Sequence, residues 1–260
     1  MKKFGLFCCG LLLFVGIARF LFSSPAPEVS GAPPYGEALE DVPVSDEWSW
    51  LKEWKRPDGP VRVGLQVGHW KNNELPEELD KLIGNTGASG GGKTEWEINL
   101  LIANEVAKIL EQKSIAVDII PATVPPDYWA DAFIAIHADG STSLKASGFK
   151  VAGPWRDRTG DAEHLVSAIE KTYQKATGMS IDPNVSRNMR GYYAFAWWRY
   201  EHSIHPMTTA VIFESGFLSN PSDRKILTQR TDDVANGLSQ GILEYLAFKG
   251  LVASEKPEDV

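Results

Sequence analysis

Two histidines and two glutamates of this chain stand where a metal site or an acid–base pair could be built. Residues 61–69 (VRVGLQVGH), 132–137 (AFIAIH) and 210–214 (AVIFE) are apolar, β-branched runs. Each stops on a side chain that can hold a metal or move a proton: His69, His137 and Glu214. The fourth residue, Glu95, opens a segment in which Ile98, Ile102, Val106 and Ile109 recur every three or four positions, the stripe of a helix lying on a sheet. Counting back three from Ile98 puts Glu95 on that inward stripe, whereas Glu97 falls on a mixed or polar side. A Glu in a first helical turn commonly complements the helix dipole. That accounts for the position of Glu95 but not for its inward direction.

The elements that must position these residues follow from the same runs. Apolar stretches of four to eight residues with little alternation are strands buried on both faces of a parallel sheet, and helical patterns separate these three. Open α/β sheets carry ligands at the carboxyl ends of their strands. A polar strand end is either a residue emerging into solvent or part of a site, and three such ends favour one site. A strand at 116–120, a short strand at 148–152, a helix over 161–177 and a final helix from Pro221 or Asp223 to Phe248 complete the order. This alternation gives an α/β fold with a mostly parallel central sheet flanked by helices, in a single domain over residues 60–250.

Composition narrows the function. A chain of 260 residues with 43% hydrophobic content can bury a sizeable core. A formal net charge of −8 with scattered Lys and Arg argues against nucleic acid as a partner. Cys8 and Cys9 both sit in the first apolar segment, so thiolate metal ligands and disulfides are excluded from the folded part. That segment follows Lys2 and Lys3 and runs apolar over residues 4–22, an export signal that is cleaved or retained. Its length, Arg19 near its outer end and the lack of a clean A-x-A site favour a retained membrane anchor, which places the domain outside the cytoplasm. Residues 23–59 read as a linker with a possible short helix at 46–55, whose tryptophans would dock on the domain; 251–260 is a charged tail.

One motif points elsewhere. Residues 87–94 (GASGGGKT) match the P-loop pattern in full. That motif needs a buried strand running directly into the loop so that backbone N–H groups aim at phosphates. Residues 80–86 (DKLIGNT) are no such strand, and the match reads as a coincidence of a glycine-rich loop.

Taken together, several phrases resemble the zinc-dependent N-acetylmuramoyl-L-alanine amidases, the amidase-3 family of cell-wall hydrolases. They are Gly68-His69, Glu95 with Asn99 and Leu100, residues 133–138 (FIAIHA), Gly148-Phe149, and above all residues 214–220 (ESGFLSN) with Asp223. The resemblance covers about residues 60–248 in order. It implies a catalytic zinc held by His69, Glu95 and His137 with a fourth position left open, Glu214 as the base that serves the attacking water, and peptidoglycan as substrate. The bond cleaved in the family joins the lactyl group of N-acetylmuramic acid to L-alanine. Departures from the usual pattern are Trp70 and Lys71 after His69, Trp96 after Glu95, and Asp139 after Ala138; they bear on substrate details and on the loop over the cleft.

Arg187, Arg190 and Asp139 are the substrate-binding candidates. The arginines could pair with stem-peptide carboxylates, and the aromatics Tyr192, Tyr193, Phe195, Trp197, Trp198 and Tyr200 could stack on sugars. Equally, these aromatics could pack the domain and the arginines be solvated. His164 fits a surface role better than a ligand, and His202 and His205 lie just before the last strand. Two other readings remain: an inactive wall-binding domain of the same fold, and a nucleotide-binding protein built on residues 87–94.

Overall fold

The computed structural model describes residues 46–253. The export or anchor reading of 1–22, most of the linker and the end of the tail lie outside the described residues. In chain order the elements are a 3-10 helix (Asp46–Lys52), β1 (Arg62–Val67), a second 3-10 helix (Glu77–Leu82), β2 (Ser89–Gly90), β3 (Lys93–Thr94), α1 (Glu95–Glu111), β4 (Ala116–Ile120), β5 (Ala132–Asp139), β6 (Lys150–Ala152), α2 (Ala162–Thr177), α3 (Arg187–Arg190), a 3-10 turn (Tyr193–Phe195), β7 (Ala210–Phe217), α4 (Pro221–Gln229) and α5 (Thr231–Phe248).

Five strands form the central sheet in the order β4-β1-β5-β7-β6, and β2 with β3 makes a separate two-residue hairpin. All neighbours in the central sheet are parallel except β6, which pairs antiparallel with β7. Strand alternation sends successive side chains to opposite faces. Val63, Leu65, Val67, Ile134, Ile136 and Phe213 pack under α1, α2 and α5. Phe133, Ala135, Ala210 and Ile212 face the other way, onto a cover of irregular chain that contributes Tyr192, Tyr193 and Phe195. His137 and Glu214 continue the second series, so they point to the face covered by loops rather than by helices.

Two expectations are corrected here, and a third is met. β5 runs on to Asp139 and β7 to Phe217, joined across an irregular register between His137 and Asp139. His137 and Glu214 therefore lie just inside their strand ends. The single last helix is two: Arg230 leaves helical geometry (φ −128°, ψ 40°) and turns its guanidinium onto the Thr177 and Ala176 carbonyls that close α2. The acidic residues Asp232 and Asp233 then start α5, where they complement its dipole. The tryptophan segment is a 3-10 helix, docked by Trp48 on Trp197 at 4.6 Å between centroids. Behind it, Arg56 forms a two-point ion pair with Asp131, 2.7 and 2.9 Å.

The glycine loop does not follow a strand. A 3-10 helix and a coil lead into it, and its own residues turn back as the β2–β3 hairpin. Lys93 is exposed and faces Glu97 at 3.8 Å. The geometry on which phosphate cradling depends is not built.

Candidate active site

Each proposed ligand is delivered by a separate local device. β1 ends at Val67, and Gly68 N–H donates to Ile136 O at 2.9 Å, carrying the chain past the sheet edge. His69 then adopts a left-handed conformation (φ 63°), uncommon for a residue with a Cβ and typical of functional positions. Gly68 must be glycine, because a Cβ there would stand 2.4 Å from His137 Cε1. Thr94 caps α1 and Glu97 accepts from its N–H at 2.8 Å. The helix-terminus role thus falls to Glu97, and Glu95 turns inward, 3% exposed. Gly87, the first glycine of the P-loop match, has φ +73°, and a Cβ on it would meet Glu95 Oε2 at 2.1 Å.

His69, Glu95 and His137 converge so that one ligand atom from each lies within 4.8 Å of the others. Glu95 Oε1 is 2.9 Å from His137 Nδ1 and 3.4 Å from His69 Nε2. The hydrogen-bond network assigns the protons. His69 Nδ1 faces the Asn85 carbonyl at 2.9 Å, which can only accept, so Nδ1 carries the hydrogen. Its Nε2 is buried, has no hydrogen-bond partner and offers a lone pair. Gln66 donates to Ala122 O (3.0 Å) and to Tyr193 Oη (2.9 Å), which leaves its Oε1 to accept from the Tyr192 hydroxyl at 2.9 Å. The Tyr192 oxygen then accepts from His137 Nε2 at 3.3 Å, and the lone pair of His137 falls on Nδ1, toward Glu95.

Burial pushes the His69 pKa down, which keeps its imidazole neutral. Burial alone would raise Glu95, but His69, His137 and the Ala88 N–H more than offset it and bring the carboxyl to about 2. Two imidazole nitrogens and an ionised carboxylate meet in a buried place, His69 Nε2 with no hydrogen-bond partner and His137 Nδ1 2.9 Å from Glu95 Oε1. That arrangement fits a divalent cation and its N/O ligands; the second ring nitrogens are held by Asn85 and Tyr192, as metal-binding histidines usually are.

Glu214 sits in register with His137 on β5 and with Lys150 on β6. Residues in register share a face, so the carboxylate lies between an imidazole and a buried ammonium. Glu214 Oε2 is buried without a partner. Burial, with Asp139 and Glu95 adding to it against Lys150, raises its pKa well above the ordinary carboxylate range. Lys150 is held by Asp139 at 2.5 Å and Asp182 at 3.4 Å.

The ESGFLSN stretch builds the rim. Ser215 Oγ donates to His137 O (3.0 Å), and Ser219 Oγ accepts from Ser141 N (3.0 Å). Asn220 caps α4 while its amide donates to the carbonyls of Leu144 and Ala146, both 3.0 Å. Asp223 accepts from Gly148 N (2.9 Å), Phe217 N (3.0 Å) and Ser147 Oγ (2.6 Å). The motif ties the loop after β5 to the end of β7.

A small pocket opens beside the two histidines, lined by His69, His137, Tyr192, Leu75 and Leu82 among others; Glu95 and Glu214 are not among its lining residues. Arg187 and Arg190 are not among its lining residues. Arg187 is exposed, and Arg190 pairs with Glu163 at 3.4 Å and lies over the Trp155 ring at 5.4 Å. Asp139 is engaged by Lys150 and by Gly140 N (2.7 Å). His202 pairs with Glu78 (2.8 Å), His205 packs against Trp50 and Trp54, and His164 stacks on Phe248. Of the aromatic run, Tyr192, Tyr193, Phe195 and Tyr200 are core. Sequence reasoning missed Gln66, Asn85 and Lys150, and of the two readings it left open for Tyr192 the packed one holds. A glutamine inside a buried strand was the available signal, since a fully buried amide needs partners.

Comparison with known proteins converges on one family. Residues 63–244 match the amidase-3 family model, described as N-acetylmuramoyl-L-alanine amidase. The catalytic domain of CwlV, an N-acetylmuramoyl-L-alanine amidase of Bacillus (Paenibacillus) polymyxa var. colistinus, is similar with 22% identity and a TM-score of 0.51 over 72% of this chain and 98% of that one. An amidase of the same description from Clostridium difficile 630 shows 19% identity and a TM-score of 0.52, covering 74% and 100%. The N-acetylmuramyl-L-alanine amidase Ami1 of Mycobacterium smegmatis shows 15% identity and a TM-score of 0.53, covering 72% and 97%. No curated protein matches the chain. At these identities the solved structures establish the shared fold, and the family match spans most of the chain. This chain belongs to the amidase-3 family of N-acetylmuramoyl-L-alanine amidases.

Proposed function

We propose that the chain hydrolyses the amide between N-acetylmuramic acid and L-alanine in peptidoglycan with a zinc ion held by His69 Nε2, Glu95 and His137 Nδ1, and with Glu214 as general base. The observation that carries the metal reading is the pair of buried imidazole nitrogens turned on an ionised carboxylate. A zinc ion bound there supplies Lewis-acid polarisation of the scissile carbonyl and acidifies a water.

The rest is the work of the chain's own side chains. Glu214 stands one strand from His137 with an unpartnered oxygen. Its carboxylate takes a proton from the attacking water and returns it to the departing L-alanine amine. A base whose pKa is raised by burial is matched to proton transfer near neutrality, and positive charge brought to the three ligands draws that pKa back down. Asn85 and Tyr192 hold the two imidazoles in the ligating tautomers. Leu75 and Leu82 give the pocket an apolar wall that limits water. We assign residues 4–22 as a retained anchor, which fits an extracytoplasmic substrate.

The test is digestion of purified peptidoglycan by the full chain, scoring stem peptides with a free L-alanine amine. Release restored by zinc after chelation, and lost in Glu214→Gln with zinc still bound, supports the assignment. Release that survives complete removal of metal overturns the metal reading, and full release by Glu214→Gln overturns the base.

A further inference from the structure

Three large aromatic side chains are exposed among the described residues: Trp50 (45%), Trp155 (61%) and Phe248 (56%). All three lie at one end of the domain, the amino-terminal edge of β5 and β7. The Trp50 ring is 5.6 Å from that of His205, whose N–H donates to Tyr128 O just ahead of β5. Because β6 runs antiparallel to β7, the chain leaving Ala152 opposite Ile212 carries Trp155 to the same edge. Phe248 closes α5, and Tyr245 one turn earlier donates its hydroxyl to Thr209 Oγ1 at 2.7 Å, immediately before β7. From Ala132 to His137 the strand advances roughly 16 Å. The aromatic end is thus remote from the metal cluster.

Between the exposed rings this surface carries tryptophan and arginine together with acidic groups, Glu163 paired with Arg190 beside Trp155 and Asp161 paired with Lys249 beside Phe248. Trp48 meets Trp197 edge-on at 4.6 Å, and Trp197 meets Trp198 at 5.6 Å. The guanidinium groups of Arg158 and Arg156 lie over Trp197 and Trp198, at 5.9 and 4.4 Å. Indole rings with arginine beside them suit a bilayer interface, where amphipathic rings rest at headgroup level and guanidinium meets phosphate. A glycan strand laid on the same rings would sit far from the residues that cut it. The described chain also begins on this surface, with Asp46 two positions ahead of Trp48. In the sequence, 23 positions separate the anchor reading of 4–22 from Asp46. An anchored domain then meets its own membrane at high effective concentration.

We infer that this tryptophan–arginine end docks on the phospholipid surface that carries the anchor, which turns His69, Glu95 and His137 away from the membrane and toward the wall. The inference rests on the reading of residues 4–22 as a retained anchor.

The sequence provides a clean probe, since all nine tryptophans lie between residues 48 and 198 and none lies in the apolar segment. The full chain is reconstituted into phosphatidylcholine–phosphatidylglycerol vesicles whose acyl chains are either ordinary or brominated. Expected is weaker tryptophan emission in the brominated vesicles, with more than half of the difference lost in the exposed-site double variant Trp50→Ala/Trp155→Ala and co-sedimentation unchanged. Co-sedimentation with equal emission in both vesicle types overturns docking while leaving the anchor intact. Failure to co-sediment overturns the anchor and the docking with it. Emission that responds to purified peptidoglycan but not to brominated lipid assigns the surface to glycan and overturns the proposal.

Discussion

Tyr192→Phe removes one buried oxygen and separates two roles of the hydroxyl. In the wild-type protein that oxygen accepts from His137 Nε2 (3.3 Å) and its hydrogen goes to Gln66 Oε1 (2.9 Å). The variant leaves both partners buried and unpaired, each at a cost of about 1–3 kcal/mol. Without metal, His137 has a way out. Its ring can hold the proton on Nδ1 and donate to Glu95 Oε1, already 2.9 Å away, so no donor is stranded and only two acceptors, the Gln66 oxygen and His137 Nε2, stay unpaired. With metal bound, that tautomer is unavailable, because the proton occupies the nitrogen needed for ligation. The variant should therefore lose about 10- to 100-fold in zinc affinity, the usual range for losing an outer partner of a ligating histidine. Metal-free stability should fall by only about 1–3 kcal/mol. Competition with a chromophoric chelator measures the first quantity and urea unfolding of the metal-free protein the second. Zinc affinity within twofold of wild type would refute the tautomer argument.

Gly87→Ala should abolish tight zinc binding, seen by the same chelator competition, because its Cβ would overlap Glu95 Oε2 at 2.1 Å in a backbone already at φ +73°. Glu214→Gln should reduce the hydrolysis rate by about 10²- to 10⁴-fold, the usual range for a positioned acid–base group, with zinc affinity retained. In the metal-free protein the same variant should be the more stable at neutral pH. Glu214 holds its proton when folded but ionises when unfolded, so wild-type stability falls relative to Gln as pH rises above the ordinary carboxylate value of 4.5. A pH series of thermal midpoints in which the gap does not widen would contradict this. Glu95 has the opposite sign: with a folded pKa of about 2, its contribution is present above 4.5 and is lost as pH falls toward 2. Lys150→Met, which leaves Asp139 and Asp182 without their buried cation, should destabilise by about 3–5 kcal/mol in chemical denaturation.

The sequence by itself determined the layers and marked the four residues from which the proposed site is drawn. Unalternating runs ending near His69, His137 and Glu214 mark buried parallel strands, and a helical stripe that includes Glu95 points that carboxylate inward, because both patterns are periodic and local. It misread the last helix as continuous, since Arg230 breaks the helix to cap the carbonyls of α2, a partner some fifty residues away. Only the tertiary structure decided which tautomer each histidine holds. That choice passes from Gln66 on β1 through Tyr192 in the loop cover to His137 on β5, across 126 positions between Gln66 and Tyr192. It also decided that the first glycine of a P-loop pattern packs on the Glu95 carboxylate rather than on a phosphate, and that Glu214 lies between His137 and Lys150. These are consequences of strand register and of contacts between segments distant in the chain, which no local period encodes.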